Sequence, residues 1–194
     1  MSNVARYLGA IILFGFPILS SLVLATLVYK RKQRRVNRIL FFLFLSQFFF
    51  GLFYTLEVIS VSLKENIYWD IAQYIPIFVA TYNMIYFSAI FNHSKIANNK
   101  GFWITFGIYK LVLIGIVIYG FFKPSLVIQD PKINFNGYYY VLTYDYTPFF
   151  YFYMIDLYVS FLFATILFWK RFRITKSCFY KKQAILVLLA LLFP

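Results

Sequence analysis

Apolar runs long enough to cross a bilayer recur along this chain, separated by short polar or basic segments, and that repetition leaves few folds open. A hydrocarbon core of ~30 Å needs about 20 helical residues to cross it. Lipid satisfies no backbone hydrogen bond, so a spanning segment is either a helix or part of a closed barrel. Strand-length alternation of the barrel kind does not repeat here, which leaves helices. Of the 194 residues, 62% are hydrophobic and 13% charged, more apolar surface than a soluble domain of this size can hide. The sequence therefore predicts an all-α integral membrane protein, a polytopic helical bundle forming one domain over residues 1–194, with the lipid bilayer as its solvent and partner.

Five full transmembrane helices are expected over residues 7–29, 39–63, 67–91, 102–122 and 148–169, with an incomplete sixth over 183–194. The twelve residues of that last run rise only ~18 Å as a helix. Gly15-Phe16-Pro17 marks a kink in the first helix, because proline removes a helix hydrogen bond. That first run is too long for the apolar region of a cleavable signal, and its heavy positive charge follows rather than precedes it, so it reads as an uncleaved helix. Residues 30–38 hold six positive charges. Fourteen of the 19 Lys and Arg fall in the first, third and fifth loops, four in the amino terminus and the even loops, and Lys110 within a span. The positive-inside rule then puts the odd loops in the cytoplasm and the amino terminus outside a multi-pass protein of the plasma membrane. Glu65, Asp70, Asp130 and Asp145 fall on the outer side. In the long link over residues 123–147, Asn136-Gly137 between two β-prone runs predicts a small extracytoplasmic β-hairpin with a type I′ turn. Its tyrosines, with Tyr144 and Tyr146, serve either as anchors at headgroup level or as a lid over a pocket.

The net charge of +13 does not point to nucleic acid, since the basic residues sit in short clusters between apolar runs and no nucleic-acid-binding motif accompanies them. The single cysteine, Cys178, allows no internal disulfide and is at most a juxtamembrane acylation site. The single histidine, His93, has no Cys, Asp or Glu in its loop with which to hold a metal. Asn92-His93-Ser94 spells a glycosylation sequon in a loop assigned to the cytoplasm, where it would not be modified. There is no nucleophile motif, P-loop or Gly-rich dinucleotide turn, so neither an enzyme nor a bound cofactor is expected.

The polar intrusions in the apolar runs concentrate in the hairpin of the second and third spans, with Glu57 in one arm and Trp69-Asp70-Ile71-Ala72-Gln73-Tyr74-Ile75-Pro76 in the other. Glu57, Lys110 and Asp156 are ionisable groups inside spans, each unfavourable there by about 2.5–3.5 kcal/mol on insertion scales, and so should face protein or water and pair where they can. At ~1.5 Å per residue Asp156 lies roughly 12 Å and Lys110 roughly 18 Å from the outer ends of their helices, which permits an ion pair between them. Gln47, Tyr54, Gln73, Asn83, Tyr86 and Tyr153 could complete an outer-facing cavity or serve as interhelical hydrogen-bonding groups. The residues singled out for receiving a signal are Glu57, Tyr54, Trp69, Gln73, Asn83 and Tyr153.

Glu57 near the outer end of the second span, Trp69-x3-Gln73-Tyr74-x-Pro76 opening the third, Tyr146-x-Pro148 opening the fifth, and a basic loop running through Lys181-Lys182-Gln183-Ala184 into an apolar run together carry a resemblance. The chain resembles the amino-terminal seven-transmembrane sensor region found ahead of histidine kinases and some cyclic-dinucleotide synthases. The resemblance implies a non-catalytic input module of a two-component system, relaying an outer-face or intramembrane signal, a small-molecule or lipid ligand, to a cytoplasmic kinase or other output domain. The chain departs from the family pattern by stopping partway into a sixth span, with no phosphoacceptor histidine box or ATP-binding region, and is expected to be a truncated or split relative. A homodimer is compatible with this. Two other classes compete. One is a small transporter or ion-conducting subunit using Glu57, Lys110 and Asp156. The other is a structural subunit of a membrane complex, packed through Ser21-x3-Ala25 and Ser160-x3-Ala164.

Overall fold

The structure, a computed structural model, describes residues 3–30, 35–135 and 140–174. The expected sixth run over 183–194, the Lys181 to Ala184 motif, Cys178 and the Asn136-Gly137 turn lie outside the described residues. The described residues form five α-helices: α1 Asn3–Lys30, α2 Arg35–Ile59, α3 Leu63–Phe91, α4 Lys100–Phe122 and α5 Pro148–Ile174. Two antiparallel strands, β1 Ile128–Phe135 and β2 Tyr140–Tyr146, lie between α4 and α5. Four segments, Arg35–Ile59, Leu63–Phe91, Lys100–Phe122 and Pro148–Lys170, are long and apolar enough to cross a membrane, and Pro17–Lys30 adds a shorter apolar stretch.

Lipid is legible on the outside of the bundle. Ile104, Ile108, Leu111, Ile118 and Phe122 of α4 follow one another at intervals of three, four or seven residues and all are exposed, Phe122 to 83%. Such spacing makes one continuous apolar face, which in water would be an unstable patch. α3 is the opposite case, since it packs against α2, α4 and α5. Its buried positions run from Asn66 to Ala89, so it is the central helix of the described bundle.

The helix boundaries have local causes. The turn between α2 and α3 falls at residues 60–62, four residues earlier than the Lys64-Glu65-Asn66 link expected from hydropathy, and residues 64–66 form the first turn of α3. Ser60 ends α2 by folding its hydroxyl back onto Leu56 O at 2.6 Å, the local competition with the helix ladder that serine supplies. Asn66, fully buried, donates to Ser60 O at 2.9 Å and Ser62 O at 3.2 Å. Glu65 places a carboxylate in the first turn of α3, where the helix dipole favours one. α1 continues through Pro17 and α3 through Pro76 as uninterrupted helical segments.

His93 has its own role at the other end of α3. It takes a left-handed backbone, φ 49°, its amide donates to Ile90 O at 3.0 Å, and the Ser94 amide donates to Ala89 O at 2.9 Å. That pair of bonds is a Schellman ending, so the histidine terminates a helix. Asn99 caps α4 through its side chain, accepting from the Phe102 amide at 3.0 Å. Thr147 does the same for α5, accepting from the Phe150 amide at 3.3 Å, with Pro148 in the first helical position where a missing N–H is harmless. The Thr147 hydroxyl also donates to Val127 O at 2.9 Å, tying the strands to α5.

The strands pair from Ile128 opposite Tyr146 to Phe135 opposite Tyr140, with a bulge between Gln129 and Lys132. Asp130 supplies the left-handed residue of that bulge, φ 47°. Val127, Ile128 and Leu142 turn inward onto Ile71, Tyr74, Phe78, Leu113, Val117 and Tyr153, forming the core at one end of the bundle. A second core, around Ile85, Ala89, Ala97, Trp103 and Leu167, fills the other end. There the Trp103 indole donates to Ile96 O at 2.8 Å, and Arg35 at the start of α2 donates to the Tyr86 hydroxyl while lying 5.0 Å from its ring centroid.

Small residues set the helix spacings, as expected where packing rather than hydrophobic transfer brings helices together. A Cβ on Gly51 of α2 would come within 2.9 Å of Ile18 Cγ1 on α1. Ser21 and Ala25 on α1, and Ser160 and Ala164 on α5, are all buried, so both small-residue pairs are covered within this chain.

Candidate functional site

Glu57, in the last turns of α2, accepts a hydrogen bond from Gln73 Nε2 of α3 at 2.5 Å. The bond crosses the closely packed α2–α3 interface and gives a membrane-buried carboxylate one of the donors it needs. One turn before Gln73 on the same helix stands Asp70. At i, i+3 and i+4, Asp70, Gln73 and Tyr74 share one helix face. Asp70 Oδ2 is buried and has no hydrogen-bond partner, while the Tyr144 phenol from β2 lies within hydrogen-bonding reach of the carboxylate and Glu57 within electrostatic range of it. Burial pushes the Tyr144 phenol above its ordinary pKa range and Asp70 adds to that effect, so the hydroxyl remains a proton donor.

These groups surround a cavity of about 250 Å³ among α2, α3, β2 and α5. Its polar lining is Asp70, Gln73, Tyr74, Tyr144 and Tyr153, and Phe50, Ile77, Phe150 and Met154 complete the wall. Tyr153 is 6% exposed and meets Tyr74 edge-on at 4.7 Å and Phe78 at 5.7 Å between ring centroids. Tyr146, which is exposed, stacks on Phe150 at 4.2 Å. The rings are held by one another, an arrangement that costs little side-chain entropy to maintain.

One helical turn beyond Tyr153 on α5 is Asp156. Lys110 of α4 donates to its Oδ2 at 2.6 Å and its Oδ1 at 2.8 Å, and the Tyr109 hydroxyl donates to Oδ1 at 2.9 Å. Ser160 Oγ lies 3.5 Å from the ammonium. The same Nζ is 5.2 Å from the Phe106 ring centroid, 5.5 Å from Tyr109 and 5.6 Å from Phe78, distances at which aromatic faces attract a cation. With Lys110 3% and Asp156 9% exposed, this is an ion pair removed from lipid and almost fully hydrogen-bonded. Tyr153 lines the cavity and packs on Phe78, the ring that also faces the Lys110 ammonium, which makes it the side chain between cavity and ion pair.

Of the residues singled out from the sequence, Gln73 and Tyr153 line this cavity, and Glu57 is joined to it through its bond to Gln73. Tyr54 stacks on Phe50 at 6.3 Å and Trp69 on Phe53 at 6.0 Å, so both flank it within or beside the α2–α3 interface. Asn83 lies elsewhere, donating to Val79 O at 2.8 Å within α3. Gln47 is exposed, and Tyr86 accepts from Arg35 at the opposite end of the bundle. Asp70 and Tyr74 belong to the Trp69–Pro76 stretch where the polar intrusions concentrate without being singled out within it, Tyr144 reads from the sequence as either an anchor or a lid, and Phe150 is not singled out at all. The spacing of Asp70 to Gln73 and Tyr74 carried the signal for the first two, whereas grouping Asp70 with the loop acids hid it. Among the described residues no three His, Cys, Asp or Glu side chains form a group able to hold a metal.

Long apolar helices with an apolar exterior, a buried interhelical ion pair and a polar cavity at one end define a polytopic α-helical membrane protein. The chain belongs to the family described as the N-terminal 7TM region of histidine kinase, whose model matches residues 13–194. That family is the sensor region of those kinases and not their catalytic domain. No curated protein and no solved structure matches the chain.

Proposed function

We propose that the chain is a non-catalytic sensor domain of the plasma membrane that receives a ligand at the Asp70–Gln73–Tyr153 cavity and relays it to a cytoplasmic output domain. The observation that carries this reading is the position of Tyr153, which lines the cavity, meets Phe78 edge-on at 5.7 Å beside the Lys110 ammonium, and stands one helical turn from the Asp156 that Lys110 holds. A ligand displacing Tyr153 would bias the packing of α5 on α3 and α4, and a ligand can shift such an equilibrium by as much as its affinities for the two packings differ. The distribution of Lys and Arg places the cavity end outside and the end with His93 in the cytoplasm. Alkaline phosphatase fused within residues 31–34 is expected to be inactive and, fused within the 60–62 turn, active. The reverse pattern would turn the domain over.

The relay is tested with the whole chain in nanodiscs, carrying Cys178→Ser and spin labels at the exposed positions Lys95 and Arg173. Glu57→Gln should shift the distance distribution between the labels by about 1–2 Å, the scale of helix shifts in switching proteins. Superimposable distributions for the parent, Glu57→Gln and Gln73→Leu, combined with proton or solute flux in proteoliposomes, would select a transporter instead.

A further inference from the structure

The cavity contains a chemical mismatch that its own residues resolve only in part, since the Tyr144 hydroxyl lies within hydrogen-bonding reach of the Asp70 carboxylate but leaves one oxygen without a donor. Asp70 Oδ2 is buried without a hydrogen-bond partner, a condition that is unfavourable for any buried polar oxygen and more so for a charged one. A second carboxylate, Glu57, lies within electrostatic range of it. Among the described residues no lysine or arginine lines the cavity, and Lys110 is paired with Asp156. The cavity therefore has the Asp70 carboxyl at its floor, with Glu57 behind Gln73, and aromatic rings on its walls.

We infer that this cavity binds an organic ammonium ion, with the charge held by Asp70 and the alkyl groups held against Tyr74, Tyr144, Phe150 and Tyr153. A small inorganic cation would need several oxygen ligands, and Glu57 is already bonded to Gln73 while the walls offer rings. Aromatic faces around a carboxylate suit a methylated ammonium group, whose charge is spread over its methyl groups and attracted by ring quadrupoles. The rings are already positioned by edge and stacking contacts, Tyr74 on Tyr153 at 4.7 Å and Phe150 on Tyr146 at 4.2 Å. A volume of about 250 Å³ holds roughly eight waters at ~30 Å³ each, enough for a trimethylammonium group with a short tail. The inference rests on the sensory reading for its biological meaning and names the chemical class of the stimulus. Such a group could belong to a free solute or to a lipid headgroup.

The test is calorimetric titration of the whole chain in phosphatidylglycerol nanodiscs with choline and with its neutral carbon isostere, 3,3-dimethylbutan-1-ol. Choline is expected to bind at least about tenfold more tightly than the alcohol, the minimum a desolvated cation–aromatic contact should give. Asp70→Asn should weaken choline by about tenfold or more, Tyr153→Leu several-fold, and Tyr153→Phe by no more than about twofold. Equal binding of choline and the alcohol to the parent protein, which requires no variant to fold, overturns the inference, as does displacement of choline by equimolar sodium chloride. Competition by phosphatidylcholine added to the nanodiscs would identify a headgroup as the source, and its absence a free solute. Choline binding without any change in the Lys95–Arg173 distances would overturn the sensory reading and leave the site standing. A change in those distances in Asp70→Asn without choline binding to the parent would do the opposite.

Discussion

Lys110→Met and Asp156→Leu should each destabilise the folded bundle by about 3–5 kcal/mol, and the Lys110→Met/Asp156→Leu double variant by much less than the two together. The asymmetry follows from what each change leaves behind. Lys110 alone would be an ammonium among Phe78, Phe106 and Tyr109 with no counter-ion, and the rings would offset only part of its desolvation. Asp156 alone would retain only the Tyr109 hydroxyl among its present donors. Removing both takes away the charges together with the desolvation they had suffered, leaving an apolar contact between α4 and α5. Unfolding in detergent mixtures followed by tryptophan fluorescence reads the effect, and single variants as stable as the parent would show that the pair contributes nothing to packing.

Gly120→Ala is expected to destabilise by about 1–3 kcal/mol, the range for overpacking a filled core, and Val127→Ala added to it should recover part of the loss. The added Cβ would stand 2.7 Å from Val127 Cγ2 and 3.8 Å from Ile71 Cγ2. Val127 and Ile71 are both fully buried, so neither has room to retreat. The contact joins α4 to the start of the strands, and its disruption should reach Thr147, which holds Val127 O. Additive effects of Gly120→Ala and Val127→Ala in the same unfolding assay would mean that the two sites do not touch.

The sequence makes the helices legible because apolar runs of bilayer length admit little else, and it makes Lys110 and Asp156 legible because charges inside such runs must be paired. Residue counting put the two at compatible depths, and the structure sets them 2.6 Å apart. Boundaries were less legible. Hydropathy cannot distinguish the last turn of a helix from an apolar turn residue, so Ser60, whose hydroxyl bonds back to Leu56, was read as helix and Glu65 as loop. The cavity was half visible. Glu57, Gln73 and Tyr153 stand out as polar groups in apolar runs, but Tyr144 lies in a strand where alternation does not say which face turns inward, and it is half-buried beside Asp70. Asn83 stands out by the same criterion as Gln73 and spends its amide on its own helix, a use that composition cannot separate from ligand binding.

α3 is longer than the membrane it crosses. Its 29 residues rise about 43 Å against a hydrocarbon thickness of ~30 Å. An upright α3 with the excess divided between its ends would set residues 63–66 in the headgroup layer and Asp70 about one helical turn beneath it. Tilting would draw both deeper, and a thicker bilayer would do the same. The depth of the Asp70 carboxylate, and with it the length of hydrocarbon that a charged solute must cross to reach it, is thereby tied to bilayer thickness, so membranes of different lipid composition would present the same cavity at different accessibility.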